Sequence, residues 1–210
     1  MKGKPFFSIC IIVCVTLLIL WFIKYKIELH YEEDCNNLIE SYYQEQSTAT
    51  ETNANVSLYN STVITTEETV QTSYGSNVDC ILRVTDLGIE LPVCKGNFKY
   101  DMESYRLSAY SNSMQLGFTT YTIMGHHSVA LNVAFGWLDK IEEGTIVTLE
   151  QSSVINEYVV TEISVDYASE LSYLFTVDNK DIVYLATCDY SLGNSDRIVY
   201  RVVKCERRTE

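Results

Sequence analysis

An uninterrupted apolar run near the N-terminus restricts this chain more than any other feature. Phe6 to Ile23 comprises 18 residues without a charge. At about 1.5 Å of rise per residue, a helix of this length measures roughly 27 Å, which is just sufficient to cross the hydrocarbon core of a bilayer. A cleaved signal peptide has a shorter apolar core and a small-residue cleavage site. Here Lys24-Tyr25-Lys26 follows and no such site is present, so we predict an uncleaved transmembrane signal anchor over residues 6–23.

The basic residues beside this run hardly determine its orientation. Lys2 and Lys4 precede it, and Lys24 and Lys26 follow it, so the positive-inside rule does not discriminate. A flank of five residues before the anchor and a large domain after it favour an N-terminus inside the cell. We therefore predict a single-pass protein of the cell membrane, with a cytoplasmic tail at residues 1–5 and an extracellular domain.

Residues 24–75 form a predicted acidic stalk and linker. His30 to Gly75 holds eight acidic residues and no Lys, Arg or Pro, and it supplies most of the net charge of −13. Apolar spacing over Ile27 to Gln46 predicts a helical stalk. Ser47 to Gly75 lacks such a period, which predicts a flexible linker that holds the domain away from the membrane. The acidity argues against nucleic-acid binding, which needs clustered Lys and Arg.

The remaining residues, 76–210, have the composition of a β domain. Short tracts rich in Val, Ile, Tyr and Thr alternate with glycines, which predicts seven or more strands in a closed barrel or a sandwich. The pattern also predicts one helix at Val129–Lys140 and a short helical turn near Met102–Tyr110. The predicted strands are Asp79–Val84, Ile89–Val93, Thr119–Met124, Thr145–Glu150, Glu157–Val165, Asp181–Thr187 and Arg197–Lys204.

The seven cysteines do not predict a disulfide framework, because three fall in the anchor and stalk. A bridge between Cys80 and Cys94 stays open. No Cys-x-x-Cys or His-x-x-x-His pair is present, so we predict no metal site. Scattered Asp and Glu define no calcium site, and calcium dependence is undecided.

Three strand ends carry the reactive groups of the domain. The tract Asp181–Cys188 predicts a buried strand with Cys188 at its C-terminal end. Arg197, nine residues later, begins another predicted strand. Upstream, Tyr121–Met124 runs into Gly125-His126. A lone buried cysteine is usually inert, but a nearby cation favours the thiolate, which is the reactive nucleophile. The neighbouring Asp189 would oppose the thiolate unless it points away.

Two alternatives compete with these candidates. His126 and His127 are adjacent and point to different sides, so only one of them should face Cys188. Arg201 lies four residues along the strand from Arg197, about 13 Å away, and both cannot serve one carbonyl. We select His126, Cys188 and Arg197 as the catalytic residues.

Together these motifs resemble the sortase family of Gram-positive bacterial cysteine transpeptidases. The resemblance rests on Gly125-His126, Leu185-Ala186-Thr187-Cys188 and Ser195-Asp196-Arg197-Ile198-Val199, and it extends through Leu91-Pro92-Val93 and residues 135–144. It covers roughly residues 80–204. Tyr184 stands where the family signature has Thr. The preceding linker lacks the Asp-Pro-aromatic lid of the pilus-polymerising subgroup, which favours a class A/D-like sortase.

The resemblance implies a fold and a reaction. The fold would be a closed eight-stranded sortase-type β-barrel with a few short helices. Cys188 would attack the Thr carbonyl of a sorting signal similar to Leu-Pro-x-Thr-Gly on a surface protein and form a thioacyl-enzyme. His126 would protonate the leaving amine, and Arg197 would bind the substrate and its oxyanion. An amine acceptor, such as a peptidoglycan precursor or a pilin lysine, would release the product, and no cofactor is required.

Two other functions remain open at this point. An anchored cysteine protease would use the same residues and differ only in giving the acyl group to water. A non-catalytic β-barrel binding module would need none of them, and the coexistence of His126, Cys188 and Arg197 argues against it.

Overall fold

The computed structural model describes residues 4–56, 77–128, 130–131, 133–189 and 199–208, with the side chains of residues 9–47 in the first of these ranges. Within them the chain forms two α-helices and ten β-strands. The helices are α1 (Lys4–Val56) and α2 (Phe98–Glu103). The strands are β1 (Val78–Val84), β2 (Ile89–Cys94), β3 (Leu107–Ala109), β4 (Tyr121–Met124), β5 (His127–Ser128), β6 (Val133–Ala134), β7 (Ile146–Gln151), β8 (Val154–Tyr167), β9 (Ile182–Asp189) and β10 (Val199–Arg207).

Eight of the described strands close into one barrel. Their order is β1-β2-β3-β4-β9-β10-β8-β7, and β7 pairs with β1 to complete the circuit. The β2–β3 and β4–β9 pairs are parallel, and the other pairs are antiparallel. The prediction of a mainly β, closed eight-stranded barrel with few helices is therefore confirmed.

The barrel interior is filled by the inward side of each strand. In β1, Cys80, Leu82 and Val84 alternate into the core, as the two-residue period of a strand requires. Large aromatic side chains occupy the centre, and Tyr121 and Tyr158 are completely buried. A second, smaller cluster lies outside the barrel wall and consists of Met124, Leu171, Leu174, Ala186 and Val202.

The N-terminal helix α1 contains the predicted membrane anchor. Its apolar side chains from Ile9 to Ile23 are exposed, and the helix is long and apolar enough to cross a membrane. The helical stalk predicted for Ile27 to Gln46 is present as part of the same helix. The helix continues to Val56, so the predicted linker is wrong over residues 47–56. Its remainder, 57–75, falls outside the described residues.

The stalk half of α1 lies against the barrel. The Tyr42 hydroxyl accepts a hydrogen bond from the backbone N–H of Ser152 at 3.0 Å and donates to the carbonyl of Glu150 at 3.2 Å. Nearer the apolar end of α1, the Tyr31 hydroxyl accepts a hydrogen bond from the backbone N–H of Ala134 at 3.0 Å. This part of the acidic segment therefore docks on the domain.

The segment predicted as a helix at Val129–Lys140 folds differently. It contains β6, which pairs with β5, and a 3-10 turn at Leu138–Lys140. The reason is the tertiary pairing of β6 with β5, which Gly136 permits, because a Cβ at this position would lie 2.5 Å from the carbonyl oxygen of Ser128. The predicted helical turn near Met102–Tyr110 is likewise displaced, because α2 ends at Glu103 and β3 follows.

The cysteine pair that the sequence left open is not bridged. Cys80 and Cys94 are both free and buried. Cys80 is the register partner of Val93, whereas Cys94 stands opposite Val78.

Candidate active site

Strand β9 carries Cys188 to the outer face of the barrel wall. Val183 and Leu185 point into the barrel core, whereas Ala186 belongs to the outer cluster. Cys188 shares the face of Ala186 because side chains two residues apart lie on the same side of a strand. The strand ends at Asp189 and Cys188 is only half-buried. The thiol therefore lies near solvent at the C-terminal end of a buried strand, as predicted.

The acidic neighbour of Cys188 lies on the opposite face. Asp189 is 1% exposed and accepts a hydrogen bond from Nη2 of Arg201 at 3.2 Å. The alternation of β9 therefore turns this carboxylate away from the thiol and pairs it with a cation.

The other cysteines of the barrel are poor nucleophiles. Burial raises the pKa of Cys94 and of Cys205 to about 12, and it also raises the pKa of Cys80 above its ordinary value. Because the thiolate is the reactive form, these three thiols are unsuited to acyl transfer. Cys188 is the barrel cysteine that is not buried.

The parallel pairing of β4 with β9 brings the histidine motif to the cysteine motif. Met124 stands opposite Ala186, and the backbone N–H of Gly125 donates to the carbonyl of Ala186 at 3.3 Å. The Thr187 hydroxyl donates to the carbonyl of Gly125 at 2.8 Å. His126 and Cys188 each directly follow this bonded pair, on chains about 4.8 Å apart. The two residues are thus brought to the same end of the same strand pair.

The last turn of α2 and the residues after it hold the side chain of His126. The His126 Nε2 atom lies 2.8 Å from the carbonyl oxygen of Met102, and the His126 ring packs on Tyr105 with 5.0 Å between the centroids. A carbonyl can only accept, so Nε2 carries the proton in this contact. In the neutral ring, Nδ1 is then the nitrogen that can accept a proton.

The rival residues His127 and Arg201 are engaged with Asp139. Nε2 of His127 lies 3.2 Å from one carboxylate oxygen of Asp139, and Nε of Arg201 lies 3.1 Å from the other. Arg201 also reaches the buried Asp189. Both side chains therefore lie against carboxylates beside the strand end.

The position of Arg197 lies outside the described residues, so its assignment stays a prediction. The described strands on either side of it pair at one end of the sheet, because Val199 is opposite Asp189 and Tyr200 is opposite Cys188.

Sequence reasoning missed three contributors to this region: the Met102 carbonyl, the Tyr105 ring and the Asp139 carboxylate. Each contacts a residue at least twelve positions away in the chain, so a local sequence pattern does not predict the contact. Tyr105 does have an unusual backbone, with φ at 58°, which costs a non-glycine residue roughly 1–2 kcal/mol.

A half-exposed cysteine and a histidine at the end of two parallel barrel strands are the parts of a cysteine-dependent acyl transferase. Comparison with known proteins identifies the family. The family model described as the Sortase domain matches residues 82–205. No curated protein sequence matches the chain. The chain belongs to the sortase family, whose members are cysteine transpeptidases.

Solved sortase structures share the fold. A sortase D5 transpeptidase from Clostridium perfringens aligns with a TM-score of 0.56 and 17% identity, over 85% of this chain and 98% of the other. Sortase A of Listeria monocytogenes aligns with a TM-score of 0.54 and 21% identity, over 63% and 88%. Sortase C-1 of Actinomyces oris aligns with a TM-score of 0.54 and 19% identity, over 81% and 99%. Because these structures cover three classes, the class A/D-like assignment stays a prediction.

Proposed function

We propose that this protein is a membrane-anchored sortase that cleaves a Leu-Pro-x-Thr-Gly-like sorting signal after Thr and transfers the new C-terminus to an amine. The observation that carries the proposal is the β4–β9 register, which brings the Gly125-His126 and Thr187-Cys188 pairs together. The family membership supports the same chemistry.

In the proposed reaction the Cys188 thiol gives its proton to His126, the sulfur attacks the Thr carbonyl and forms a thioacyl-enzyme, and the peptide C–N bond breaks. His126 gives a proton to the leaving amine and later takes one from the incoming amine. Arg197 donates hydrogen bonds to the oxyanion, for which a permanently charged guanidinium is suited. The reaction needs no cofactor.

The proposed setting is the outer surface of a Gram-positive cell. The exposed apolar half of α1 would span the membrane with its N-terminus inside. The substrates would be surface proteins that carry a sorting signal, and the acceptor would be a cell-wall precursor or a protein lysine. Hydrolysis by water is the alternative outcome, since the thioacyl-enzyme can be released by either nucleophile.

The test uses the full chain in detergent and a fluorescence-quenched Leu-Pro-x-Thr-Gly peptide, with and without an amine acceptor. We expect cleavage by the wild type, a joined product when the amine is present, and none of either with Cys188→Ala. Cleavage that survives in Cys188→Ala would refute the mechanism.

Matched variants decide between the neighbouring candidates. His126→Ala should abolish cleavage, whereas His127→Ala should retain it. Arg197→Lys should reduce kcat much more than Arg201→Lys does. The reverse result for either pair would show that the wrong neighbour was selected.

A further inference from the structure

The segment 101–106, which ends α2 and leads to β3, connects His126 to the stalk helix. Its Met102 carbonyl accepts a hydrogen bond from Nε2 of His126 and another from the backbone N–H of Tyr105 at 3.1 Å. The Tyr105 ring packs on the His126 ring. The next residue, Arg106, closes the turn by donating its backbone N–H to the carbonyl of Asp101 at 2.9 Å. The contacts on His126 therefore depend on the position of this turn.

The turn is strained and is anchored from outside. Tyr105 adopts the left-handed conformation, which persists in a non-glycine residue only where surrounding contacts maintain it. Arg106 supplies such a contact through two hydrogen bonds to Asp34 of α1, from Nε to Oδ2 and from Nη2 to Oδ1, each 3.2 Å. A paired arrangement of this kind fixes direction as well as distance.

An open cleft of about 740 Å³ lies beside this connection, with Phe22 and Ile27 on the helix side and Tyr105 and Leu131 on the barrel side. The Asp34–Arg106 ion pair bridges the helix and the turn at one edge of this cleft.

We propose that Asp34 and Arg106 are positioning residues for His126, so that the membrane-proximal helix supports the active site. The inference rests on the acid/base role proposed for His126. The ion pair holds the turn, the turn places the Met102 carbonyl, and the carbonyl keeps the proton of the neutral ring on Nε2. Nδ1 is thereby left to exchange protons with the reacting groups.

The test uses the full chain in detergent micelles and the variant Asp34→Asn. We expect kcat for the sorting peptide to fall roughly tenfold with an unchanged KM, as displacement of a catalytic group produces. In the ¹⁵N NMR spectrum of histidine-labelled protein at a pH where His126 is neutral, the ring should change from Nε2–H to a mixture of tautomers. Asp34→Glu should restore both properties.

The matched control is Tyr43→Phe on the same helix. The Tyr43 hydroxyl donates to the carboxylate of Glu150 at 3.0 Å and contributes to the docking of α1 farther along the barrel. This variant should leave kcat and the His126 tautomer unchanged. An equal loss in Tyr43→Phe, or an unchanged tautomer in Asp34→Asn, would overturn the proposal.

The tautomer measurement separates this proposal from the proposed function, because it requires no activity. If His126→Ala remained fully active, the acid/base role would fail. An unchanged tautomer in Asp34→Asn, with His126→Ala inactive, would refute the positioning role alone.

Discussion

Replacement of Gly125 by alanine should damage both stability and catalysis, because this residue lies between β4 and His126. A Cβ at this position would lie 2.5 Å from Cδ2 of Leu107 and 2.9 Å from Cδ2 of Phe135. Carbon atoms pack at about 3.5–4.0 Å, so the neighbours would have to move by about 1 Å. Leu107 is 1% exposed and Phe135 is completely buried, and a close-packed interior offers them little space.

The expected magnitudes follow from that displacement. Overpacking of a core costs about 1–3 kcal/mol, which urea denaturation would measure as a lower free energy of unfolding. A 1 Å displacement beside a catalytic group reduces the rate by up to about 100-fold. For Gly125→Ala we therefore expect kcat in the peptide-cleavage assay to fall between about tenfold and 100-fold.

Two control variants isolate the clash. Leu107→Ala alone should lower the free energy of unfolding by about 2–5 kcal/mol. It also removes the side chain that a Cβ at position 125 would meet first. In the double variant, Gly125→Ala should therefore cost at least about 0.5 kcal/mol less than it does in the wild type. Gly144 has φ at 87°, and nothing lies within 4 Å of the position a Cβ would take. Gly144→Ala should therefore lose stability through backbone strain alone and retain kcat. Wild-type kcat in Gly125→Ala, or strict additivity with Leu107→Ala, would refute the reasoning.

Three further variants test other parts of the structure by urea denaturation. Gly136→Ala should destabilise more than Gly125→Ala, because its Cβ would meet the backbone of Ser128, which cannot rotate away; a smaller loss would contradict this. Arg201→Met should lower the free energy of unfolding by about 3–5 kcal/mol, because it removes the cation from the buried Asp189. Adding Asp189→Asn to this variant should recover much of the loss. A loss below about 1 kcal/mol in Arg201→Met would show that the ion pair contributes little to stability. Burial raises the pKa of the Asp101 carboxyl above its ordinary value. At a pH between its pKa in the unfolded chain and its pKa in the folded protein, the folded protein binds more protons at this carboxyl than the unfolded chain does. The free energy of unfolding therefore falls as the pH rises through this range. Asp101→Asn should therefore gain stability relative to wild type as the pH is raised from about 4, and a pH-independent difference would show that the charge costs nothing.

Much of the barrel was predictable from local pattern. All seven predicted strands are present within one or a few residues of their expected ends, because each is long enough to show β-branched and aromatic residues between turn residues. Strand β3 was missed, since Leu107–Ala109 has too few residues to display a period. The predicted helix at Val129–Lys140 failed for a related reason. A short apolar segment fits either period, and its pairing with β5 is a tertiary contact that the local pattern does not contain.

The candidate site divides in the same way. The cysteine at a strand end and the Gly-His motif are local features, and the sequence determined them together with the family. The catalytic roles of Cys188, His126 and Arg197 stay predictions. The exclusion of His127 and Arg201 as free groups depended on Asp139, which meets them only after the chain has folded.

The sequence by itself determined an apolar segment long enough to cross a membrane, an acidic stalk and a β domain with its reactive groups at strand ends, because hydrophobicity, charge and period are properties of neighbouring residues. Only the tertiary structure decided that the stalk docks on the barrel. Asp34 and Tyr42 find their partners Arg106 and Glu150 more than seventy residues away, and an acidic or aromatic residue on a helix surface gives no sign of such a partner. The physical reason is that ion pairs and hydrogen bonds across elements depend on the closed barrel, which brings distant side chains within 3–4 Å.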